Sequence, residues 1–419
     1  MKENKIIWIV NQFANTPDMP GGTRHFEIAT FLAKKGFKVE IFASDFNLSK
    51  RKSLKLKNAK LFSVEKIKGI KIHWLKTISY RKNDWKRYLN LLSFCFNFSI
   101  YQFRLFFKNN QNNLMPDLII ASSPQLIASF CALIMAKLLK KYFIFEVRDL
   151  WPQVLVDLGG INQDNFLIKV LMFMENILYA KSDCVVVLAE GLQDYVKNKG
   201  AKKVVWLPNG PDLEKFPLLS ETKISNTFTK SNPFKLIYAG AHGFANDLEN
   251  VIEAAKLLLD YPIKIILIGD GPEKKDLISQ AKDLENVLFE NPISKELIPE
   301  ILAKSNAILI SLADVELFQY GISPNKLYDA YALARPIVST LKGSINNEIH
   351  KYNAGIGCAP GSPKLLSDAI IKMYKKSYME RKFMGLNGRK LAETIYSRNI
   401  INNKYYVLIN YFLNKNGKT

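Results

Sequence analysis

The stretch Phe318-Gln-Tyr-Gly-Ile-Ser-Pro-Asn-Lys-Leu-Tyr-Asp329, continuing through Arg335-Pro336-Ile337-Val338, holds the residue types that grip a phosphate. A loop rich in main-chain donors, Tyr320 to Asn325, leads into a helix. The first turn of a helix offers unpaired N–H groups and the positive end of a dipole. Lys326 adds a cation, and Asp329, on the same helical face, can accept from a sugar hydroxyl. The run Ile337-Val338-Ser339-Thr340 then reads as a buried strand. Loop, helix and strand in that order predict a nucleotide-diphosphate site.

Other loops carry chemistry-bearing residues at the ends of predicted strands. Pro20-Gly21-Gly22-Thr23-Arg24-His25 opens a helix. Paired glycines there let the backbone approach a phosphate or sugar, and Arg24 and His25 offer a cation and a titratable group. A plain turn with Thr23 as N-cap explains the same residues. Glu146-Val-Arg148-Asp149-Leu-Trp151-Pro152 follows the strand Tyr142–Phe145. Charge at a strand end is costly unless exposed or paired. Asp149 is a candidate general base or hydroxyl acceptor and Arg148 a candidate phosphate partner, against an Arg–Asp pair that fixes the loop. Asn209-Gly210 signals a turn. Tyr238-Ala-Gly240-Ala-His242-Gly243 and Gly269-Asp-Gly-Pro-Glu273 are glycine-containing turns after strands, the second with Pro272 suited to a helix start. No metal-ligand spacing, GxSxG elbow, Walker loop or GxGxxG is present, so no metal is expected and leaving-group charge falls on Lys326 and N–H groups.

These loops need a frame. At 419 residues with 48% hydrophobic content, the chain predicts two domains with ample cores. Cys95, Cys131, Cys184 and Cys358 form no CxxC pair, which fits a reducing cytoplasm, and Lys5–Val10 reads as a strand rather than a signal peptide. Net charge is +21, of which residues 1–208 hold +16 and residues 50–108 hold +14. Such a field attracts nucleic acid or an anionic membrane, unless the lysines are merely solvated. Tyr88–Phe107, rich in aromatics and flanked by Lys86, Arg87 and Lys108, is interrupted by Asn90, Asn97, Gln102 and Arg104. It argues against a membrane span and suits either a helix lying in the headgroup region or a core helix of the first domain. The two are compatible when one face turns inward and the other toward lipid.

Strands are expected at 6–10, 39–43, 70–75, 118–121, 142–147, 184–188 and 204–207, with helices at 23–36, 85–108, 124–140, 163–181 and 190–199. A polar linker at 211–233 precedes a second series. Its strands fall at 235–239, 264–268, 287–289, 307–311 and 336–340, and its helices at 247–259, 272–282, 295–303, 326–333 and 363–375. The alternation predicts α/β architecture, each half a parallel sheet covered on both faces, with ligands at the carboxyl ends of strands.

Taken in order, PGGTRH at 20–25, EVRDLWP at 146–152, PNG at 208–210, YAGAHG at 238–243, GDGPE at 269–273 and YGISPNKL at 320–327 resemble the retaining glycosyltransferases of family four. The resemblance is to the bacterial branch that includes N-acetyl-L-fucosamine transferases of O-antigen and capsule assembly. It implies a GT-B fold of two doubly wound Rossmann-like domains facing across a cleft. Residues 1–210 would bind acceptor, 211–395 the nucleotide sugar, and a helix in 396–419 would cross back to the first domain. It implies a UDP-sugar donor, an N-acetylated 6-deoxyhexose among the candidates, and no cofactor. The acceptor would be an undecaprenyl-diphosphate-linked saccharide, reached by an enzyme peripheral to the inner membrane and docked on anionic lipid through 50–108. Donor contacts are implied at Gly240, His242, Gly243, Gly269, Pro292, Tyr320, Ser323, Pro324, Asn325, Lys326 and Asp329. Acceptor or sugar contacts are implied at Gly21, Gly22 and Arg24, and catalytic roles at Asp149, Arg148, His25 and Lys326. Two departures stand out. The family's Arg and Lys, five apart after the first donor-domain strand, read Ala241 and Asn246, and the first acid of its Glu-x7-Glu motif reads Gly321.

Other functions fit less well. A UDP-sugar 2-epimerase of the same fold leaves the basic half unexplained. A nucleic-acid binder lacks any helix-turn-helix, zinc-finger or RNP signature.

Overall fold

The computed structural model describes residues 5–56, 60–81, 85–108, 115–218, 233–294 and 296–415. Residues 219–232 of the expected linker and Lys295 at an expected helix start lie outside the described residues, as do 57–59 and 82–84 within the basic segment. The chain divides into two compact units. One holds residues 1–188, 192–207 and 402–419, the other residues 189–191 and 208–401.

The first unit is built on an eight-stranded sheet. Its strands are β1 (Ile6–Val10), β2 (Lys38–Ser44), β5 (Phe62–Ile67), β6 (Ile70–Leu75), β7 (Leu118–Ser122), β8 (Tyr142–Val147), β9 (Cys184–Val187) and β10 (Val204–Trp206), in the order β10-β9-β8-β7-β1-β2-β6-β5. The sheet is parallel except at one edge, where β5 pairs antiparallel with β6, so the expectation of a wholly parallel sheet is corrected there. The turn at Lys68-Gly69, both with positive φ, closes that hairpin. A two-stranded ribbon, β3 (Phe46–Asn47) and β4 (Lys52–Ser53), stands apart. Its helices include α1 (Arg24–Lys34), α2 (Trp85–Lys108), α3 (Leu126–Leu138), α4 (Gln153–Asp157), α5 (Phe166–Lys181) and α6 (Leu192–Asn198), and most of the helix Arg398–Lys415 belongs here as well. Strands β1, β7 and β9 are buried along their length, which accounts for their continuous apolar runs.

Helix α2 is two-faced. Phe94, Cys95, Phe98 and Tyr101 are buried, whereas Trp85, Tyr88, Leu92, Phe96, Ile100 and Phe103 are exposed. The exposed set recurs every three or four residues and forms one stripe. The buried Asn90 that interrupts the apolar sequence is a fastener: it accepts from Gln12 Nε2 at 2.8 Å and donates to Ile78 O at 2.8 Å. Cys95 and Cys131, remote in sequence, come side by side where α2 meets α3.

The second unit carries β11 (Phe234–Ala239), β12 (Ile263–Ile268), β13 (Val287–Glu290), β14 (Ala307–Ile310), β15 (Ile337–Ser339) and β16 (Gly355–Gly357), all parallel. Their order is β13-β12-β11-β14-β15-β16. Strand order reverses between β11 and β14, and that is the point where doubly wound sheets bind ligands beyond their carboxyl ends. Leu236, Tyr238, Val251, Ile265, Leu267 and Leu309 belong to its buried core.

Candidate functional site

At the switch point of the second unit, β11 ends at Ala239 and the chain turns through Gly240-Ala-His-Gly243 into the helix Leu248–Lys256. The adjoining loop after β12 packs tightly against this turn. Gly240 N donates to Ile268 O at 2.9 Å and His242 N to Asp270 O at 2.9 Å. Gly269 has φ +149°, and a Cβ there would stand 1.8 Å from Gly240 O. Only glycine allows this approach.

Lys326, in the first turn of the helix Asn325–Ala332, reaches over this loop. Its Nζ donates to Tyr238 Oη at 2.6 Å and to Asn246 Oδ1 at 2.9 Å. A Cβ on Gly240 would stand 2.3 Å from Nζ, so the glycine lies directly against the ammonium. Burial pushes Lys326 down to about 7. The helix start is fastened from a different loop: Asn209 N donates to Ser323 Oγ at 2.9 Å, and Asn209 Nδ2 to Ser323 O at 2.9 Å. Pro324 is the N-cap and makes no side-chain cap bond. The Asn325 side chain is exposed and Asp329 is half-buried one turn further on.

His242 is fully buried, and neither ring nitrogen has a hydrogen-bond partner. Burial lowers its pKa, with Lys274 adding to the effect, so the ring is neutral. Lys274 itself is tied to Gly269 O and Glu290 O at 2.8 and 2.9 Å. Thus Gly240, His242, Gly269 and Lys326 come together, with Gly243 beside Pro272. Pro292 is exposed just after β13, and Tyr320 places its carbonyl against Gly191.

In the first unit the chemistry gathers around Glu146, at the end of β8 and fully buried. Arg24 Nε lies 3.2 Å from both of its oxygens and Nη2 3.2 Å from Oε2, while Nη2 also donates to Leu207 O at 2.8 Å. Tyr405 Oη donates to the same carboxylate. His25 Nε2 lies 3.1 Å from Oε1. Burial pushes Glu146 up, but Arg24 and His25 outweigh it and hold the carboxyl well below its usual range. Asn11 Oδ1 accepts from Phe13 N, which turns its amide nitrogen to His25 Nδ1 at 2.7 Å and leaves the ring proton on Nε2. Burial lowers the His25 pKa, and Arg148 and Arg24 add to it.

His25, expected as a presented titratable group, is therefore only 3% exposed. The buried Glu146 requires compensation and draws the ring inward. Thr23 makes no side-chain cap bond and donates instead to Glu27 Oε1 at 2.6 Å. Gly21 has φ +121° and a Cβ there would stand 2.4 Å from Asn15 Nδ2, so the turn itself demands glycine. Nothing crowds Gly22 within 4 Å. Ser123 Oγ accepts from the main-chain nitrogens of Arg148 and Asp149 at 2.8 and 3.2 Å, which fixes that loop. Asp149 is solvent-exposed, yet crowding by surrounding protein raises its carboxyl pKa against the pull of Arg148. Sequence reasoning missed Glu146 as the hub, and Tyr238, Asn246 and Asn209 as partners. The cost of a charge at the end of a buried strand was the signal for Glu146.

Residues 220–391 match the family description "Glycosyl transferases group 1". WcaI of Escherichia coli (strain K12), a glycosyl transferase assigned to colanic acid biosynthesis, is 25% identical over 210 residues, 48% of this chain and 52% of that protein. The aligned stretches span between 38% and 58% of the lengths of the curated relatives. Among solved structures, sucrose-phosphate synthase from Thermosynechococcus elongatus superposes with TM-score 0.74 at 14% identity, covering 97% of this chain and 98% of that one. Anabaena HepE in complex with UDP-glucose gives 0.67 at 15% identity, covering 97% and 99%. At such identities the likeness concerns the fold alone. The chain has the GT-B fold, and the match to the glycosyl transferases group 1 description falls within its second unit.

Proposed function

We propose that this protein transfers a sugar from a UDP-sugar to a lipid-linked saccharide in polysaccharide assembly. The carrying observation is the Lys326 ammonium, laid against Gly240 at the switch point and held by neutral oxygens. Such a cation suits the diphosphate of a nucleotide sugar and can stabilise it as leaving group. The N–H groups of Ser323 and Asn325 add to that field, and Asp329 accepts from the ribose. In the first unit Arg24 and His25 hold Glu146, and so set the strand end from which Arg148 and Asp149 continue toward acceptor and transferred sugar. An N-acetylated 6-deoxyhexose donor, transfer with retention and membership in the family-four fucosamine branch complete the reading. No metal is assigned a role.

The acceptor is the part of this reading that involves lipid. The exposed aromatic stripe of α2, with Lys86, Arg87 and Arg104 on the same helix and no acid, supports docking on an anionic inner-membrane surface. Among the described residues no helix is long and apolar enough to cross a membrane.

The test is UDP release from a panel of UDP-sugars with and without a polyprenyl-diphosphate-linked GlcNAc acceptor. Acceptor-dependent release is expected, and Lys326→Ala should lower the rate by ~10²–10³, as for loss of an oxyanion donor. Sugar interconversion without acceptor would replace this reading by an epimerase.

A further inference from the structure

Lys326 owes its position to residues of another element. An ammonium has three N–H donors. Two are directed at neutral oxygens, those of Tyr238 and Asn246. The Tyr238 hydroxyl donates its own proton to Ala241 O at 2.7 Å, which turns its oxygen to accept from the lysine. The ammonium also lies 4.1 Å from the centroid of the Tyr238 ring, an electrostatically favourable place for a cation. Beneath it Gly240 leaves the space that any Cβ would fill. Three residues of one strand and its loop thus define where a charge carried by another helix sits. None of them is negative. A carboxylate at 246 would hold the lysine equally well, but it would cancel the field that an incoming anion needs.

We propose that Tyr238 and Asn246 are positioning residues that set the Lys326 ammonium on the diphosphate of a nucleotide ligand, and that the neutrality of Asn246 keeps that charge available. The inference rests on the nucleotide-sugar reading above. It adds that the site specifies the place of the charge rather than the residue carrying it. Because the Asn246 side chain already meets Nζ, a lysine at 246 can bring its ammonium into the same pocket once Lys326 is shortened.

Calorimetry on the full chain tests this with UDP, GDP, ADP and dTDP and the corresponding nucleosides. The nucleoside diphosphate that the wild type binds best then serves as probe. Asn246→Asp should weaken the diphosphate roughly 10- to 100-fold, the scale of one charge-assisted hydrogen bond, and leave the nucleoside unchanged. Tyr238→Phe should act in the same direction. Lys326→Asn should lose the advantage of diphosphate over nucleoside, and the double variant Lys326→Asn/Asn246→Lys should recover at least tenfold of it. Two results would overturn the inference. One is an Asn246→Asp protein that binds the diphosphate like wild type, or loses diphosphate and nucleoside alike. The other is a double variant no better than Lys326→Asn while melting at the wild-type temperature. A wild type that prefers no diphosphate over its nucleoside would instead bring down the nucleotide-sugar reading, and this inference with it.

Discussion

Lys326 is a half-buried charge and Glu146 a fully buried one, and they respond to their surroundings in opposite ways. Lys326 has no carboxylate among its bonded partners and is pushed down to about 7. Around it stand Tyr238 and Asn246, with the buried His242 on the adjoining loop; Asp270 and Lys274 act in turn on His242. A diphosphate favours the ammonium, so affinity for UDP should fall as pH rises above 7, by about tenfold per unit while the empty site loses its proton. Titration calorimetry from pH 6 to 9 reads this, and Lys326→Arg should flatten the profile because a guanidinium stays charged. Glu146 is instead surrounded by donors. Glu146→Gln leaves Arg24 buried without its partner and should cost roughly 3–5 kcal/mol in denaturant unfolding at pH 7. Its folded-state pKa is depressed, so its stabilisation is complete above the unfolded value near ~4.3 and fades as pH falls toward the folded one. The difference between wild type and Glu146→Gln should therefore shrink in acid. Lys326 and the glycines were legible in the sequence because their types and spacing are local. The Glu146 hub was not, since Arg24 is 122 positions away and Tyr405 another 259.

At the scale of elements, apolar periodicity located the long helices and the buried strands. It overlooked the half-exposed edge strand β5, the short β3, β4 and β16, and the helices α4 and Ser344–Lys351. Strands of two or three residues carry too few side chains to show a pattern, and Gly355-Ile356-Gly357 is mostly backbone. For α2 the pattern was ambiguous because both faces are apolar. Folding resolves it into a buried side and a side on which Phe96 is 67%, Trp85 64% and Phe103 58% exposed. Ile134 and Leu138 on α3 are exposed as well, one and two turns from Cys131 at the contact with α2. With basic side chains on the same helix, this surface should bind vesicles containing anionic phosphatidylglycerol and leave neutral ones alone. In co-sedimentation, Phe96→Glu with Phe103→Glu should abolish binding while UDP affinity persists. Equal binding by that variant, or a dimer that it dissociates, would assign the stripe another partner.

For the whole molecule, the two sheets share one plan. Strand order runs outward in both directions from β1 and β7 in the first unit, except that β5 folds back beyond β6, and from β11 and β14 in the second. The alternation of strands and helices announced both sheets. Alternation alone does not say that residues 402–419 belong with the first unit; that expectation came from the resemblance, with its helix in 396–419 crossing back. Tyr405, on the helix Arg398–Lys415, seals the carboxylate at the end of β8. The consequence concerns birth rather than catalysis. At ribosomal speeds of about 5–20 residues per second, Glu146 emerges roughly 13–50 s before the hydroxyl that completes its surroundings. During that interval the first sheet holds a carboxylate with only part of its partners, beside a strip of bare aromatics on α2. A nascent chain arrested before residue 402 should therefore be digested by protease in the first unit faster than the released protein. Equal resistance would mean that the first sheet closes without its last helix.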